Sequence, residues 1–294
     1  MSGNSDKTIL VAGISGKQGG AVARRLQWDG WRVRGLTRKP DAEALRPLRE
    51  LGVAIFGGDL TDQGSLIEPM NGAYGVFAMA TPFEKGPENE VAQGDTLADV
   101  AASAGVRHYV YSSVGSANHK TGIPHFESKA RIEEHLKELN LPHTVVRPVY
   151  FMENLIHYSV QSGDQGLTLP VPLASTTPVQ MIAVDDVAAI VGLVFAQPDH
   201  YIGKAFDIAG DELTFPKTAA ALTAATGEPV SYVEIPWEAV RGQSEDLYLM
   251  FQWLQHKGYR AKIDDVRKMH PELLDLGAWL QRGGAKAFRQ RWVA

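Results

Sequence analysis

The sequence predicts an α/β fold: a doubly wound parallel sheet followed by a smaller C-terminal α/β lobe. Three observations carry this reading. Short β-rich apolar runs alternate with longer amphipathic runs up to about residue 150, a glycine-rich turn follows the first of them, and the rhythm changes after Pro148. Alternating strands and helices imply a parallel sheet with helices on both faces. Right-handed crossovers then place a ligand at the carboxyl ends of the strands.

Strands are expected at 8–12, 32–36, 53–56, 75–79, 108–112 and 143–147. Helices are expected between them at 19–28, 41–51, 62–68, 89–104 and 129–140. Residues 1–150 therefore form the first domain and 151–294 a smaller lobe, partly interleaved with it. In that lobe Pro170, Pro172 and Pro178 mark a loop-rich stretch, and Asp185-Asp186 would cap a helix running to Ala196. Further strands are expected at 205–208 and 230–235, and helices at 216–226 and 237–257.

The composition is that of a globular chain, with 44% hydrophobic and 21% charged residues in 294. A net charge of -5 gives no general attraction to nucleic acid or anionic membrane. The sequence holds no cysteine, which excludes disulfides, thiolate catalysis and cysteine metal sites. Its 9 histidines are scattered without metal-ligand spacing, so no metal is expected. The first residues lack a basic stretch followed by an apolar one, and the apolar run 187–196 is about half a membrane span. A cytoplasmic protein with neither nucleic acid nor membrane as partner is the expectation.

The strongest local signal is Gly13-Ile14-Ser15-Gly16-Lys17-Gln18-Gly19-Gly20, a G-x-x-G-x-x-G pattern after a strand and before a helix. The first glycine permits the tight turn, the second lets backbone approach a pyrophosphate, and the third lets the helix pack on the strand. The helix start adds unpaired amides and partial positive charge. A dinucleotide site is expected.

The end of the second strand selects the cofactor. An NAD site places an acid there for the ribose 2′-hydroxyl. Here the stretch reads Leu36-Thr37-Arg38-Lys39, with no acid. Arg38 offers a planar fork of donors for a 2′-phosphate and Lys39 adds charge, so NADP(H) is expected. Asp59, in Gly58-Asp59-Leu60, would either accept from the adenine amino group or cap the next helix.

These segments resemble the NmrA-like proteins, atypical members of the short-chain dehydrogenase/reductase superfamily. So do Tyr111-Ser112-Ser113-Val114-Gly115, Pro124-His125-Phe126-Glu127-Ser128-Lys129 and Phe151-Met152-Glu153-Asn154-Leu155, with His270-Pro271-Glu272-Leu273-Leu274 and Trp279-Leu280 near the end. The resemblance is strongest to the redox-sensor branch. It implies a Rossmann domain binding NADP(H). Residues 38–42, Asp59, Leu60 and Ala80-Thr81-Pro82 would then line the adenosine and pyrophosphate side, with Lys129, Tyr150, Phe151 and Asn154 near the nicotinamide. The family holds both sensors and reductases.

Most of the wider superfamily places a proton-donating Tyr four residues before the ribose-binding Lys. Here Lys129 is present, but that position is His125. Either His125 donates the proton, with Ser113 polarising a substrate oxygen, or His125 is structural and Lys129 only binds cofactor. Glu133-Glu134 and Asp185-Asp186 read as solvated helix faces or caps. Two functions remain open: an NADP(H)-dependent redox sensor or regulator, and an NADPH-dependent reductase of a quinone, imine or similar acceptor. The partners are accordingly a regulatory protein or a small-molecule acceptor, with a homodimer also open.

Overall fold

The computed structural model describes residues 4–163 and 166–293. The chain divides into two compact units. The first comprises Met1–Lys120, Pro124–Arg147 and Val187–Phe206, and the second Thr121–Ile123, Pro148–Asp186 and Asp207–Ala294.

In the first unit the elements run β1 (Thr8–Ala12), α1 (Lys17–Trp28), β2 (Arg32–Thr37), α2 (Arg46–Glu50), β3 (Ala54–Gly57), α3 (Gln63–Met70), β4 (Gly75–Ala78), α4 (Pro87–Ser103), β5 (His108–Ser112), α5 (Pro124–Glu138) and β6 (His143–Pro148). The strands pair in parallel, with β1 flanked by β2 and β4. The sheet has seven strands in the order Ala205–Ile208, β6, β5, β4, β1, β2, β3. This is a Rossmann-like doubly wound α/β fold, and the order reverses between β1 and β4.

Alternation along the strands decides what each face buries. Leu10, Ala12, Val76, Ala78, Tyr109, Tyr111 and Val145 form one core with Leu66 and Met70 of α3, Leu97, Ala98 and Ala101 of α4, and Ile132 and Leu136 of α5. Helices α4 and α5 cross closely at Gly94, where an added Cβ would lie 2.5 Å from Ile132 Cδ1. That close approach brings residues one turn away on each helix within reach of one another.

Three helices depart from expectation by more than a residue or two. Helix α5 begins at Pro124, whose missing N–H and fixed φ suit a first helical turn, so His125 lies inside the helix. The expected helix at 41–51 is only a 3-10 turn, Glu43–Leu45, followed by the five-residue α2 with Pro47 in its first turn. The expected helix at 237–257 is two, Trp237–Arg241 and Glu245–His256, because Ser244 leaves helical geometry and its Oγ accepts from Leu247 N at 3.2 Å.

In the second unit the proline-punctuated stretch is not loop-rich. It forms strands Gly166–Val171 and Pro178–Ile182. Leu167, Leu169 and Val171 are buried in alternation, a period-2 pattern that outweighs the prolines. Pro178 stands at a strand start, where its missing N–H costs little. Asp186 is also not the helix cap that the sequence suggests. It is buried, with Oδ1 3.0 Å from His270 Nε2 and Oδ2 accepting from Leu274 N at 3.0 Å. It ties down the 270–274 segment. Among the described residues no helix is long and apolar enough to cross a membrane.

Candidate functional site

The glycine turn sits at the carboxyl end of β1. Gly13 has φ +66°, a left-handed conformation that favours glycine. The Gly16 amide donates to the Gly13 carbonyl at 2.9 Å, closing the turn. A Cβ on Gly19 would lie 2.3 Å from Gly13 O, so that position admits glycine alone. Helix α1 then starts at Lys17, with extended Gly16 before it and no side-chain cap. Backbone amides, not side chains, therefore serve this helix start, which is the arrangement that receives phosphate oxygens. Ser15, Gly16 and Lys17 are exposed beside it. Gln18 is buried, and its Nε2 donates to Ser112 Oγ at 2.9 Å, pinning the turn to the end of β5.

At the end of β2, Arg38 faces a carboxylate from another loop. Its guanidinium meets Glu84 in a fork, Nη1 to Oε2 at 2.7 Å and Nη2 to Oε1 at 2.8 Å. The pairing raises the Arg38 pKa and lowers that of Glu84. Lys39 is exposed, and its amide donates to Thr37 Oγ1 at 3.2 Å. Asp59 Oδ1 accepts from both Thr61 N at 2.9 Å and Thr61 Oγ1 at 2.8 Å, and these bonds hold its carboxyl below the usual range. The helix cap is instead Asp62, which accepts from Gly64 N at 3.0 Å, so the capping alternative for Asp59 does not hold. Leu60 packs against the core below, and Ala80, Thr81 and Pro82 open the loop that follows β4.

Lys129 is anchored from two sides. Its Nζ donates to Glu90 Oε1 at 2.8 Å and to the Ala80 carbonyl at 3.1 Å. Glu90 is fully buried and also accepts from Ser128 Oγ. His125, one turn before Lys129, is buried, with its ring 4.8 Å from that of Phe126 and 5.7 Å from that of Phe83.

A tyrosine does approach Lys129: the ammonium lies 5.9 Å from the Tyr111 ring centroid. Its hydroxyl is buried with no hydrogen-bond partner, and burial, with the Glu90 charge, pushes its pKa well above the ordinary value. Tyr111 is thus no substitute for the absent catalytic tyrosine.

Ser113 is engaged elsewhere. Its Oγ donates to Glu133 Oε1 at 2.5 Å, and Glu133 forms a fork with Arg147 at 2.9 and 2.5 Å. Glu133 is therefore not on the solvated helix face that the sequence suggests. It lies on the buried side of α5, where it neutralises Arg147 of β6, also buried. Glu134, next in sequence, is exposed and pairs only with Lys137.

The structure thus groups the glycine turn, Arg38, Asp59, the 80–82 segment, Ser113, His125 and Lys129 in the first unit. It adds two acids that the sequence reading passes over, Glu84 and Glu90, and turns a third, Glu133, inward. Glu90 left a legible signal, since it shares a helical stripe with Gly94, Leu97, Ala98 and Ala101 and so stands on the buried face of α4. Glu84 left none, lying in an irregular loop.

Tyr150, Phe151 and Asn154 belong to the second unit. Tyr150 and Phe151 form a two-residue strand opposite Met181 and Ile182. The Tyr150 hydroxyl is hydrogen-bonded to Ser159 Oγ, and burial pushes its pKa up to about 12. Asn154 precedes the helical turn Leu155–Ser159. Glu153 between them accepts from Val184 N at 3.1 Å and Trp279 Nε1 at 3.2 Å. Among the described residues no cluster of three or more His, Asp or Glu could hold a metal ion.

The model of one family, the NmrA-like family, matches residues 5–280. The chain belongs to the NmrA-like family. Among its family relatives, the NmrA-like family domain-containing oxidoreductase notA of Aspergillus sp. (strain MF297-2) is 31% identical over 274 residues, covering 83% of this chain and 80% of that protein. The NAD(P)H azoreductase of Xenophilus azovorans is 31% identical over 234 residues, covering 79% of each. The crystal structure of NmrA, a negative transcriptional regulator in complex with NAD, matches with a TM-score of 0.81 at 22% identity, covering 95% of both chains. That likeness establishes the NmrA fold for this chain.

Proposed function

We propose that this NmrA-like chain binds NADP(H) and passes its hydride to an acceptor that needs no dedicated proton donor, such as a quinone or an azo compound. The observation that carries the reading is the glycine turn, where Gly19 admits no side chain and the helix start presents backbone amides. Arg38, already holding an anion, supports the phosphorylated cofactor over NAD(H). The azoreductase and oxidoreductase names of relatives at 31% identity support a reductase.

When bound, the nicotinamide supplies a hydride. The residues of this chain do the remaining work. Lys129, fixed by Glu90 and the Ala80 carbonyl, offers its ammonium to the ribose hydroxyls. Ser113 directs its proton to Glu133, and Tyr111 holds its own in a buried hydroxyl. Neither is set to protonate a carbonyl oxygen, which leaves His125, one turn before Lys129, as the remaining candidate donor and favours acceptors with the least need of one. The engagement of Ser113 and Tyr111 also fits a second reading, a redox-responsive regulator that binds NADP(H) without turnover.

The two separate in steady-state oxidation of NADPH with a quinone, an azo dye and a simple aldehyde. The reductase reading expects turnover with the first or second, loss of that turnover in Lys129→Met, and none with the aldehyde. Tight NADPH binding with no oxidation by any of the three contradicts it and favours the regulator.

A further inference from the structure

The carboxylate that meets Arg38 has the geometry of the ligand expected there. A guanidinium receives a carboxylate or a phosphate through the same fork of parallel donors. Both partners remain reachable, with side-chain exposures of 51% for Arg38 and 53% for Glu84. An ion pair this exposed is weak and easily exchanged. Glu84 sits at the tip of a turn closed by the Gly86 amide on the Pro82 carbonyl at 2.7 Å, with Gly86 at φ +87° before α4. Lys85 and Asp59 act on Glu84 with opposite sign, the lysine favouring its charge and the aspartate opposing it.

We propose that Glu84 sets the balance between NADPH and NADH, a proposal that rests on the dinucleotide reading above. Without a 2′-phosphate, Glu84 occupies that group's seat on Arg38. A 2′-phosphate must displace it, because two anions cannot share one guanidinium fork without repulsion. With NADH the carboxylate stays in place and accepts the ribose 2′-hydroxyl, the role an acid at the end of the second strand plays in NAD sites. The second strand of this chain ends in Thr37-Arg38-Lys39, so the acid is delivered instead from the loop after β4. One cofactor uses the arginine and the other uses the glutamate.

The test is a set of fluorescence titrations of the intact chain with NADPH and with NADH, at one fixed ionic strength, for the wild type, Glu84→Gln and Glu88→Gln. Glu88 is an exposed acid on the first turn of α4 that pairs with Arg131, and its variant removes the same charge nearby. The expected result is a rise in the NADPH-to-NADH preference of Glu84→Gln by roughly fivefold or more, the factor of an exposed ion pair at the top of its range. Glu88→Gln should keep the wild-type ratio. A ratio in Glu84→Gln within threefold of wild type, or shifted towards NADH, overturns the proposal. An equal shift in Glu88→Gln overturns it too, since the effect would then be one of overall charge. Wild-type protein that binds neither nucleotide fails at the earlier step and takes the dinucleotide reading down with it; wild-type binding with an unmoved ratio sinks only the role of Glu84.

Discussion

Lys129 Nζ stands 2.8 Å from Glu90 Oε1 across the α4–α5 contact, and the two ends of this pair differ in access to water: 12% of the lysine side chain is exposed and none of the glutamate. The asymmetry has an energetic consequence. Removing one partner of a buried pair leaves the other uncompensated, at about 3–5 kcal/mol when burial is complete. Glu90→Gln leaves an ammonium that can still reach solvent, whereas Lys129→Met leaves a carboxylate that cannot. Urea unfolding should therefore show a larger loss for Lys129→Met than for Glu90→Gln, with the double variant recovering part of it. Equal losses would contradict the assignment of Glu90 as the buried end.

Glu133 and Arg147 are buried at both ends, with 3% and 7% of their side chains exposed. Glu133→Gln removes the charge that compensates Arg147 and the acceptor that holds Ser113, and should cost about 3–5 kcal/mol of stability. Far-UV circular dichroism during denaturant titration reads this directly. A loss below about 1 kcal/mol, the range of exposed pairs, would show that the pair is solvated in solution.

His108 gives the protein an acid-sensitive core. Its Nε2 lies 2.8 Å from Thr144 Oγ1, and that hydroxyl donates onward to the Tyr201 carbonyl, so Nε2 carries the proton. Nδ1 is buried without a partner, and a second proton there would find no acceptor. Burial accordingly lowers the pKa from 6.5 to about 4. The folded chain then binds fewer protons than the unfolded one between those two values. Stability is fully present above pH 6.5 and falls as the pH drops towards 4, by about 3 kcal/mol from this residue. Unfolding midpoints at pH 7.5, 5.5 and 4.5 should show that slope, and His108→Gln should flatten it. An unchanged slope in the variant would place the acid sensitivity elsewhere.

Gly19→Ala tests the glycine turn without adding charge. The new Cβ would meet Gly13 O at 2.3 Å, and neither backbone segment can yield without opening the turn. NADPH affinity should fall by about tenfold or more, as expected where backbone must approach a pyrophosphate. Helix content should be retained, since α1 continues to Trp28. Undiminished affinity would mean that the phosphates bind away from this turn.

What the sequence revealed divides along physical lines. Strands Thr8–Ala12 and His108–Ser112 fall where the sequence places them, because strands inside a parallel sheet are buried on both faces and read as largely apolar runs. Strands Gly166–Val171 and Pro178–Ile182 were obscured, because their prolines carry a turn signal as strong as the alternation beneath it. The glycine turn was legible because its function lies in backbone geometry that only glycine permits. Glu90, Glu133 and Asp186 were misread or passed over for one reason: a charged residue reads as solvent-facing unless its partner is known. Those partners lie 39, 14 and 84 residues away along the chain. Arg38 was legible as an anion-binding group, whereas the carboxylate that meets it, 46 residues on, was not.

The central claim is a dinucleotide seat on the glycine turn with Arg38 as its phosphate grip, and titration of the intact protein and of Arg38→Ala with NADPH and NADH tests it most directly. The account predicts saturable NADPH binding that weakens by about tenfold to a hundredfold in Arg38→Ala, the worth of one hydrogen bond to a charged group, with NADH much less affected. Binding of neither nucleotide by the wild-type chain, or equal loss of both in Arg38→Ala, would contradict it.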